Sequence, residues 1–139
     1  MAKFESLLIV DDSQRCIEII SRALEAEGGV RVSSETEPTR ALERIRQERP
    51  SLVLLDIKMP GLDGFSVLSL LRGEGNTSPI VMFSGSARQA DVDRAYALGC
   101  NGYVQKPNTI DDYRALAGAI VTYWRRGELP QNLRNLSAQ

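Results

Sequence analysis

Leu52-Val53-Leu54-Leu55-Asp56-Ile57-Lys58-Met59-Pro60-Gly61-Leu62-Asp63-Gly64 is the stretch from which the rest of the chain can be read. Its four leading apolar residues are too few for a helix and lack the alternation of a half-exposed strand. They predict a strand buried on both faces, as in a parallel sheet. The run stops at a carboxylate, Asp56. Behind it, Pro60-Gly61 and Asp63-Gly64 mark a loop. Asp63 is placed to cap a helix in which Phe65, Val67, Leu68 and Leu71 recur at helical spacing. Met59 and Phe65 are read as packing residues.

Similar units lie on either side. Leu7-Leu8-Ile9-Val10 predicts a strand ending at Asp11-Asp12. A helix from Ser13 carries Ile17, Ile20, Ala23 and Leu24 on one face, and Gly28-Gly29 closes it. Val30-Arg31-Val32 predicts a short strand. The next helix is capped by Thr36, has Pro38 in its first turn, and turns Ala41, Leu42 and Ile45 inward. Pro79 to Phe83 predicts a strand ending at Ser84. Ser86 then caps a helix bearing Val92, Ala95, Tyr96 and Leu98, which stops at Gly99. Gly102-Tyr103-Val104 predicts a fifth strand ending near Lys106-Pro107. Thr109 caps the last helix, with Ile110, Tyr113, Ala117, Ile120 and Trp124 on its inner face. Five strands alternating with five helices predict an α/β fold, a doubly wound five-stranded parallel sheet.

Composition narrows the function classes. The 139 residues carry 17 basic and 18 acidic side chains, a net charge of −1, with 42% hydrophobic and 25% charged residues. That suits one soluble domain, and it offers no basic footprint for nucleic acid or an anionic membrane. Histidine is absent, which excludes a histidine triad, histidine metal ligation and a phosphohistidine on this chain. Cys16 and Cys100 lie far apart in sequence and are expected to be buried, reduced thiols. Residues 1–124 are expected to form one domain and 125–139 a tail without an output domain. No signal peptide or membrane span is expected, because the first apolar run ends after Val10.

In an open parallel sheet, ligands bind beyond the carboxyl ends of the strands. There the sequence places Asp11-Asp12, Asp56, Ser84 and Lys106. One acid after a strand is ordinary turn chemistry, but three at adjacent strand ends repel one another unless a cation joins them. Oxygen-only donors favour Mg²⁺, or Mn²⁺, over zinc. Opposite these acids, Lys106 reads as a point-charge anchor for a phosphoryl group, with Ser84 donating to another of its oxygens.

Asp11-Asp12, Asp56 within Leu55-Asp56-Ile57-Lys58-Met59-Pro60-Gly61-Leu62-Asp63-Gly64, Ser84-Gly85-Ser86 and Tyr103-Val104-Gln105-Lys106-Pro107 together resemble the receiver domain of two-component response regulators. The resemblance extends over about residues 5–124 and implies a flavodoxin-like (βα)5 fold with strand order 2-1-3-4-5. It implies that Asp56 is the phosphoacceptor and that Asp12 binds Mg²⁺ directly. Asp11 would bind the ion mainly through water, and Asp56 and the Lys58 carbonyl would complete the protein ligands. It makes Asp56, Ser84 and Lys106 the catalytic set, with Ser84 and Lys106 holding phosphoryl oxygens and Tyr103 as the switch aromatic, turning inward on phosphorylation. Gly85 stands where alanine is usual, Ser84 where threonine is also common, and Lys58 puts a cation at the mouth of the site.

By the same resemblance the chain is a phosphoprotein of bacterial phosphorelay signal transduction and lies in the cytoplasm. A histidine kinase or phosphotransfer protein is upstream and a protein target downstream, with no direct nucleic-acid or membrane contact. It is not an enzyme beyond dephosphorylating itself. Tyr123-Trp124 with Gly127-Glu128-Leu129-Pro130 is similar to the ending of single-domain regulators partnered with bacteriophytochrome kinases. A phosphate shuttle or sink, and a degenerate receiver used only for interaction, are the alternatives within the family. A flavin carrier would meet phosphate repulsion from Asp11-Asp12. An aspartate-based phosphohydrolase would want a second aspartate where Lys58 stands. The face of the fourth helix, fifth strand and fifth helix carries Asp91, Asp93, Arg94, Tyr103, Gln105, Asp111, Asp112, Arg114 and Tyr123. Its mixed charges suit either a homodimer or a solvated surface.

Overall fold

The computed structural model describes residues 6–125. The elements are β1 (Ser6–Val10), α1 (Gln14–Glu27), β2 (Arg31–Glu35), α2 (Pro38–Glu48), β3 (Leu52–Leu55), α3 (Gly64–Gly73), β4 (Ile80–Ser84), α4 (Gln89–Ala97), β5 (Gly102–Gln105) and α5 (Ile110–Arg125). The strands form one parallel sheet in the order β2-β1-β3-β4-β5, as the resemblance implied. The tail expected at 125–139 lies outside the described residues beyond Arg125, as do residues 1–5.

Strand alternation divides the core in two. Leu7, Ile9, Leu52, Leu54, Val81, Phe83 and Val104 face α1 and α5. Leu8, Val10, Val53, Leu55, Ile80, Met82 and Tyr103 face α2, α3 and α4. Every residue of β3 and β4 is buried, which explains their unbroken apolar runs. Among the described residues no helix is long and apolar enough to cross a membrane. Cys16 and Cys100 are buried and form no disulfide.

Several local expectations need correction. β2 begins at Arg31 rather than Val30 and runs on to Glu35, because Ile9 and Val10 pair with Ser34 and Glu35. It is an edge strand whose residues all stay at least partly exposed, so apolar content does not mark it. Glu37, not Thr36, caps α2, its carboxylate accepting from the Thr39 N–H at 3.1 Å. Arg88 occupies the N-cap of α4 and makes no capping bond; Ser86 lies before it. Ile110 is 53% exposed, and Leu116 and Val121 join Tyr113, Ala117 and Ile120 in the inner face of α5. Ser13, Asp63 and Thr109 do cap their helices, accepting from Cys16, Ser66 and Asp112.

Gly64 explains how α3 sits so near the end of β3. Its N–H donates to the Ile57 carbonyl at 2.8 Å, and a Cβ there would collide with the Asp56 carbonyl oxygen. Gly61 supplies the positive φ of 85° that the turn after Pro60 requires.

Candidate functional site

The carboxyl ends of β1 and β3 deliver the acids side by side. The Asp56 N–H donates to the Val10 carbonyl at 2.9 Å, and the Asp11 N–H to the Glu35 carbonyl at 3.1 Å, so each acid leaves a strand while still tied to its neighbour. Oxygens of Asp11, Asp12 and Asp56 all lie within 4.8 Å of one another. Asp11 is 1% and Asp56 5% exposed, whereas Asp12 faces solvent. The three therefore differ in kind. Asp11 Oδ1 accepts from the Ser13 N–H at 2.9 Å, closing a turn into α1. Asp56 Oδ1 accepts from the Ile57 N–H at 2.9 Å, which leaves Oδ2 directed to the cluster.

Lys106 enters from the end of β5. Its N–H donates to the Ser84 carbonyl at 2.7 Å, continuing the β4–β5 pairing. Its ammonium lies 2.7 Å from Asp11 Oδ2, 3.5 Å from Asp56 Oδ2 and 5.8 Å from the centre of the Phe83 ring. Burial opposes the lysine's charge. The hydrogen bond and charge of Asp11, with the charge of Asp56, outweigh it and raise its pKa.

One ammonium does not neutralise three carboxylates. Burial, and then the charge of Asp11, push Asp56 up to about 6, although Lys106 and the Ile57 N–H pull the other way. Behind Asp11, the Cys16 thiol lies 3.7 Å from the Tyr113 hydroxyl; burial and then Asp11 push it up to about 11, so it stays protonated and packs as an apolar group. An all-oxygen donor set with excess negative charge fits a hard divalent cation, which would relieve the repulsion that raises Asp56.

Ser84 is 2% exposed, and its Oγ accepts from the Ser86 N–H at 3.2 Å, leaving its own hydroxyl proton to donate. The structure holds Tyr103 inward: it is fully buried on the α4 side and donates to the Ser86 carbonyl at 2.6 Å. Lys58 is exposed and lines a groove of about 510 Å³ with Asp63, Phe65, Arg88, Asp91 and Arg94. Met59 and Phe65 are packed, as expected, and Arg94 stacks over Phe65 at 4.3 Å.

All the residues expected at the rim therefore stand at strand ends there, with Tyr103 one layer behind. The sequence reading missed Ser86 as a junction. Its N–H, carbonyl and hydroxyl are each engaged, and the bond to Asp91 in α4 would have been a legible i, i+5 clue. On the mixed-charge face, Asp93 accepts from Gln89, Arg114 pairs with Asp111, and Asp91 pairs with Arg88.

A model of the response regulator receiver domain matches residues 7–117. The chain is 29% identical over 128 residues to the DNA-binding transcriptional regulator NtrC of Proteus hauseri, covering 92% of this chain and 27% of that protein. It is 36% identical over 107 residues to the transcriptional regulatory protein CseB of Streptomyces coelicolor, covering 77% and 45%. The chain thus spans about half or less of the length of these curated relatives. Among solved structures, the phosphorylated cyanobacterial phytochrome response regulator RcpA superposes with a TM-score of 0.79 at 26% identity, over 87% of this chain and 94% of that one. The receiver of Thermotoga maritima CheB gives a TM-score of 0.76 at 21% identity, over 88% and 95%, a likeness of fold. With the sheet order, the acid cluster and the match over residues 7–117 in agreement, the chain belongs to the response regulator receiver domains of two-component systems.

Proposed function

We propose that Asp56 accepts a phosphoryl group from a histidine kinase or phosphotransfer protein, and that the chain then signals through the surface of α4, β5 and α5. The observation that carries this is the buried Asp56 carboxylate, with Lys106 Nζ 3.5 Å from its Oδ2 and the Asp11 and Asp12 oxygens within 4.8 Å. Asp12, Asp11, Asp56 and the Lys58 carbonyl would hold Mg²⁺, which supplies charge neutralisation to the incoming phosphoryl oxygens. Mn²⁺ would serve in the same place.

In the transfer, an Asp56 carboxylate oxygen forms a bond to phosphorus as the bond from phosphorus to the donor's histidine nitrogen breaks, the electron pair leaving with that nitrogen. Lys106 offers a fixed ammonium where negative charge gathers. Ser84 donates its hydroxyl proton to another phosphoryl oxygen. Later attack by water on phosphorus returns Asp56 and releases phosphate, so the only turnover is of the chain's own acyl phosphate. Phosphorylation replaces a carboxylate with a bulkier group of greater charge and stronger acceptors, which draws on Ser84 and, behind it, Tyr103. A protein target recognises the altered face. The likeness to the phytochrome response regulator RcpA supports a photoreceptor kinase as the donor class. A cytoplasmic setting accords with such a donor.

Incubation with acetyl phosphate and Mg²⁺ should add one phosphoryl group, read by intact mass. Asp56→Asn should add none. Equal labelling of the variant would overturn the assignment.

A further inference from the structure

Ser86 was expected only to cap a helix, and the structure gives it a larger place. Its N–H donates to Ser84 Oγ at 3.2 Å. Its carbonyl accepts from the Tyr103 hydroxyl at 2.6 Å. Its own hydroxyl donates to Asp91 Oδ2 at 3.0 Å and accepts from the Arg88 N–H at 3.3 Å. One residue thus touches the hydroxyl at the rim, the buried tyrosine and the first turn of α4.

The three contacts differ in how firmly they hold. The contact to Tyr103 is short and lies on a fully buried ring. The contact to Asp91 has a carboxylate acceptor, and Arg88 supports that carboxylate at 3.4 Å. The hydrogen bond to Asp91 Oδ2 holds that carboxyl below the usual range, so it stays ionised as an acceptor. The contact to Ser84 is the longest of the three, with a neutral hydroxyl as acceptor. α4 itself starts without a side-chain cap, and Ala95 is its only fully buried residue, so the tie through Asp91 carries an unusual share of what positions its first turn.

We propose that Ser86 is a positioning residue that makes α4 follow Ser84. The Ser86–Asp91 bond is the latch between the β4–α4 segment and the helix. A shift of Ser84 toward a phosphoryl oxygen displaces the Ser86 backbone. The carbonyl carries that displacement to Tyr103, and the hydroxyl carries it to Asp91 and so to the helix. Without the hydroxyl, Tyr103 still feels the shift through the main chain, but α4 is released from it. The inference rests on Asp56 being the phosphoacceptor.

The test is amide chemical-shift mapping with Mg²⁺ and beryllofluoride, a phosphoryl mimic, on the wild type, Ser86→Ala, Ser86→Thr, Asp91→Ala and the Ser86→Ala/Asp91→Ala double variant. In the wild type, amides near Asp56 and Ser84 and along Gln89–Ala97 should all move. In Ser86→Ala the amides near Asp56 and Ser84 should still move, while the displacement along α4 falls about twofold or more. Asp91→Ala, which removes the acceptor of the same bond, should give the same loss, and the double variant no further loss, because both single changes break one latch. Ser86→Thr keeps the hydroxyl and should restore the response. A full α4 response in Ser86→Ala, or additive losses in the double variant, would overturn the latch. A wild type with no response near Asp56 would instead count against the phosphoacceptor reading.

Discussion

The two ends of the sheet are built on opposite principles. At the carboxyl end, three acids and one ammonium are gathered with charge left over, and burial, then the charge of Asp11, push Asp56 up to about 6. At the amino end, polar groups are matched. The Arg72 guanidinium donates to the carbonyls of Gly99, Asn76 and Ser78 and to Asn101 Oδ1, all at 2.9–3.0 Å. Asn101 Oδ1 also accepts from the Ile80 N–H at 2.8 Å, which ties the starts of β4 and β5 together. Ser6 and Ser51 exchange bonds across the starts of β1 and β3, and the Trp124 indole donates to the Ser51 carbonyl at 3.2 Å. One end holds the sheet together; the other carries an electrostatic cost.

The amino end should therefore break hardest. Arg72→Met keeps the aliphatic stem and removes four donations, stranding acceptors that include those of buried Asn76 and Ser78. Urea unfolding should show a loss of about 2–4 kcal/mol. A loss below about 0.5 kcal/mol, the range of a surface substitution, would mean that water replaces the guanidinium there and the contrast between the ends is false.

The carboxyl end should respond in the other direction. Asp56 has its folded pKa raised from 3.8 to about 6, so between these values the folded chain binds more protons than the unfolded one. Stability then falls as pH rises through that window, and the full cost is present above about 6. In chelator at pH 8, Asp56→Asn should be more stable than the wild type by about 1–2 kcal/mol, less than the whole shift would give because the rim is open to water. The gain should fade toward pH 4. Mg²⁺ should stabilise the wild type by about 1.4 kcal/mol at tenfold excess over its Kd, and the variant less. Thermal melts at the two pH values, with and without Mg²⁺, decide the matter. A variant less stable than the wild type at pH 8 without metal would show that Lys106 already offsets the acids.

The acids should also separate from one another. Asp12 is exposed and has no ion pair among the described contacts, whereas Asp11 is committed to Lys106 and Ser13. Calorimetry should show Mg²⁺ binding weakened more by Asp12→Ala than by Asp11→Ala. Equal binding to the double variant would remove the cluster from consideration.

What was legible in the sequence follows the same division. Strands buried on both faces announce themselves, and so do the acids that end them, because both are written in consecutive residues. Helix caps bonding to the third residue ahead, such as Asp63 to Ser66, are legible for the same reason. β2 was cut short because an edge strand can contain Ser33 and Ser34 without cost. Thr36 and Ser86 suit caps by residue type alone, whereas Glu37 caps α2 and the Ser86 hydroxyl bonds to Asp91. Gly64 reads from the sequence as a turn glycine, but its need is the close approach to the Asp56 carbonyl. Arg72 left no trace, since three of its four acceptors are main-chain carbonyls, which no residue type announces.

Trp124 offers the smallest predicted effect and a direct probe of how separate the ends are. It is the one tryptophan of the chain, it packs against the α1 and α5 side of the core, and its indole is bonded at the start of β3. Asp56 lies past the other end of that strand, four residues of about 3.3 Å rise away. Mg²⁺ binding at the acids neutralises charge there, at the end of β3 opposite the bond between the indole and the Ser51 carbonyl. The emission of Trp124 should therefore stay unchanged through a Mg²⁺ titration that calorimetry shows to saturate, yet shift strongly on unfolding in urea. Trp124→Phe should cost about 0.5–1.5 kcal/mol for the lost bond and leave Mg²⁺ affinity untouched. If Mg²⁺ alone changed the emission in step with binding, the sheet would be transmitting strain along β3 into α5, and the amino end would be part of the switch rather than its support.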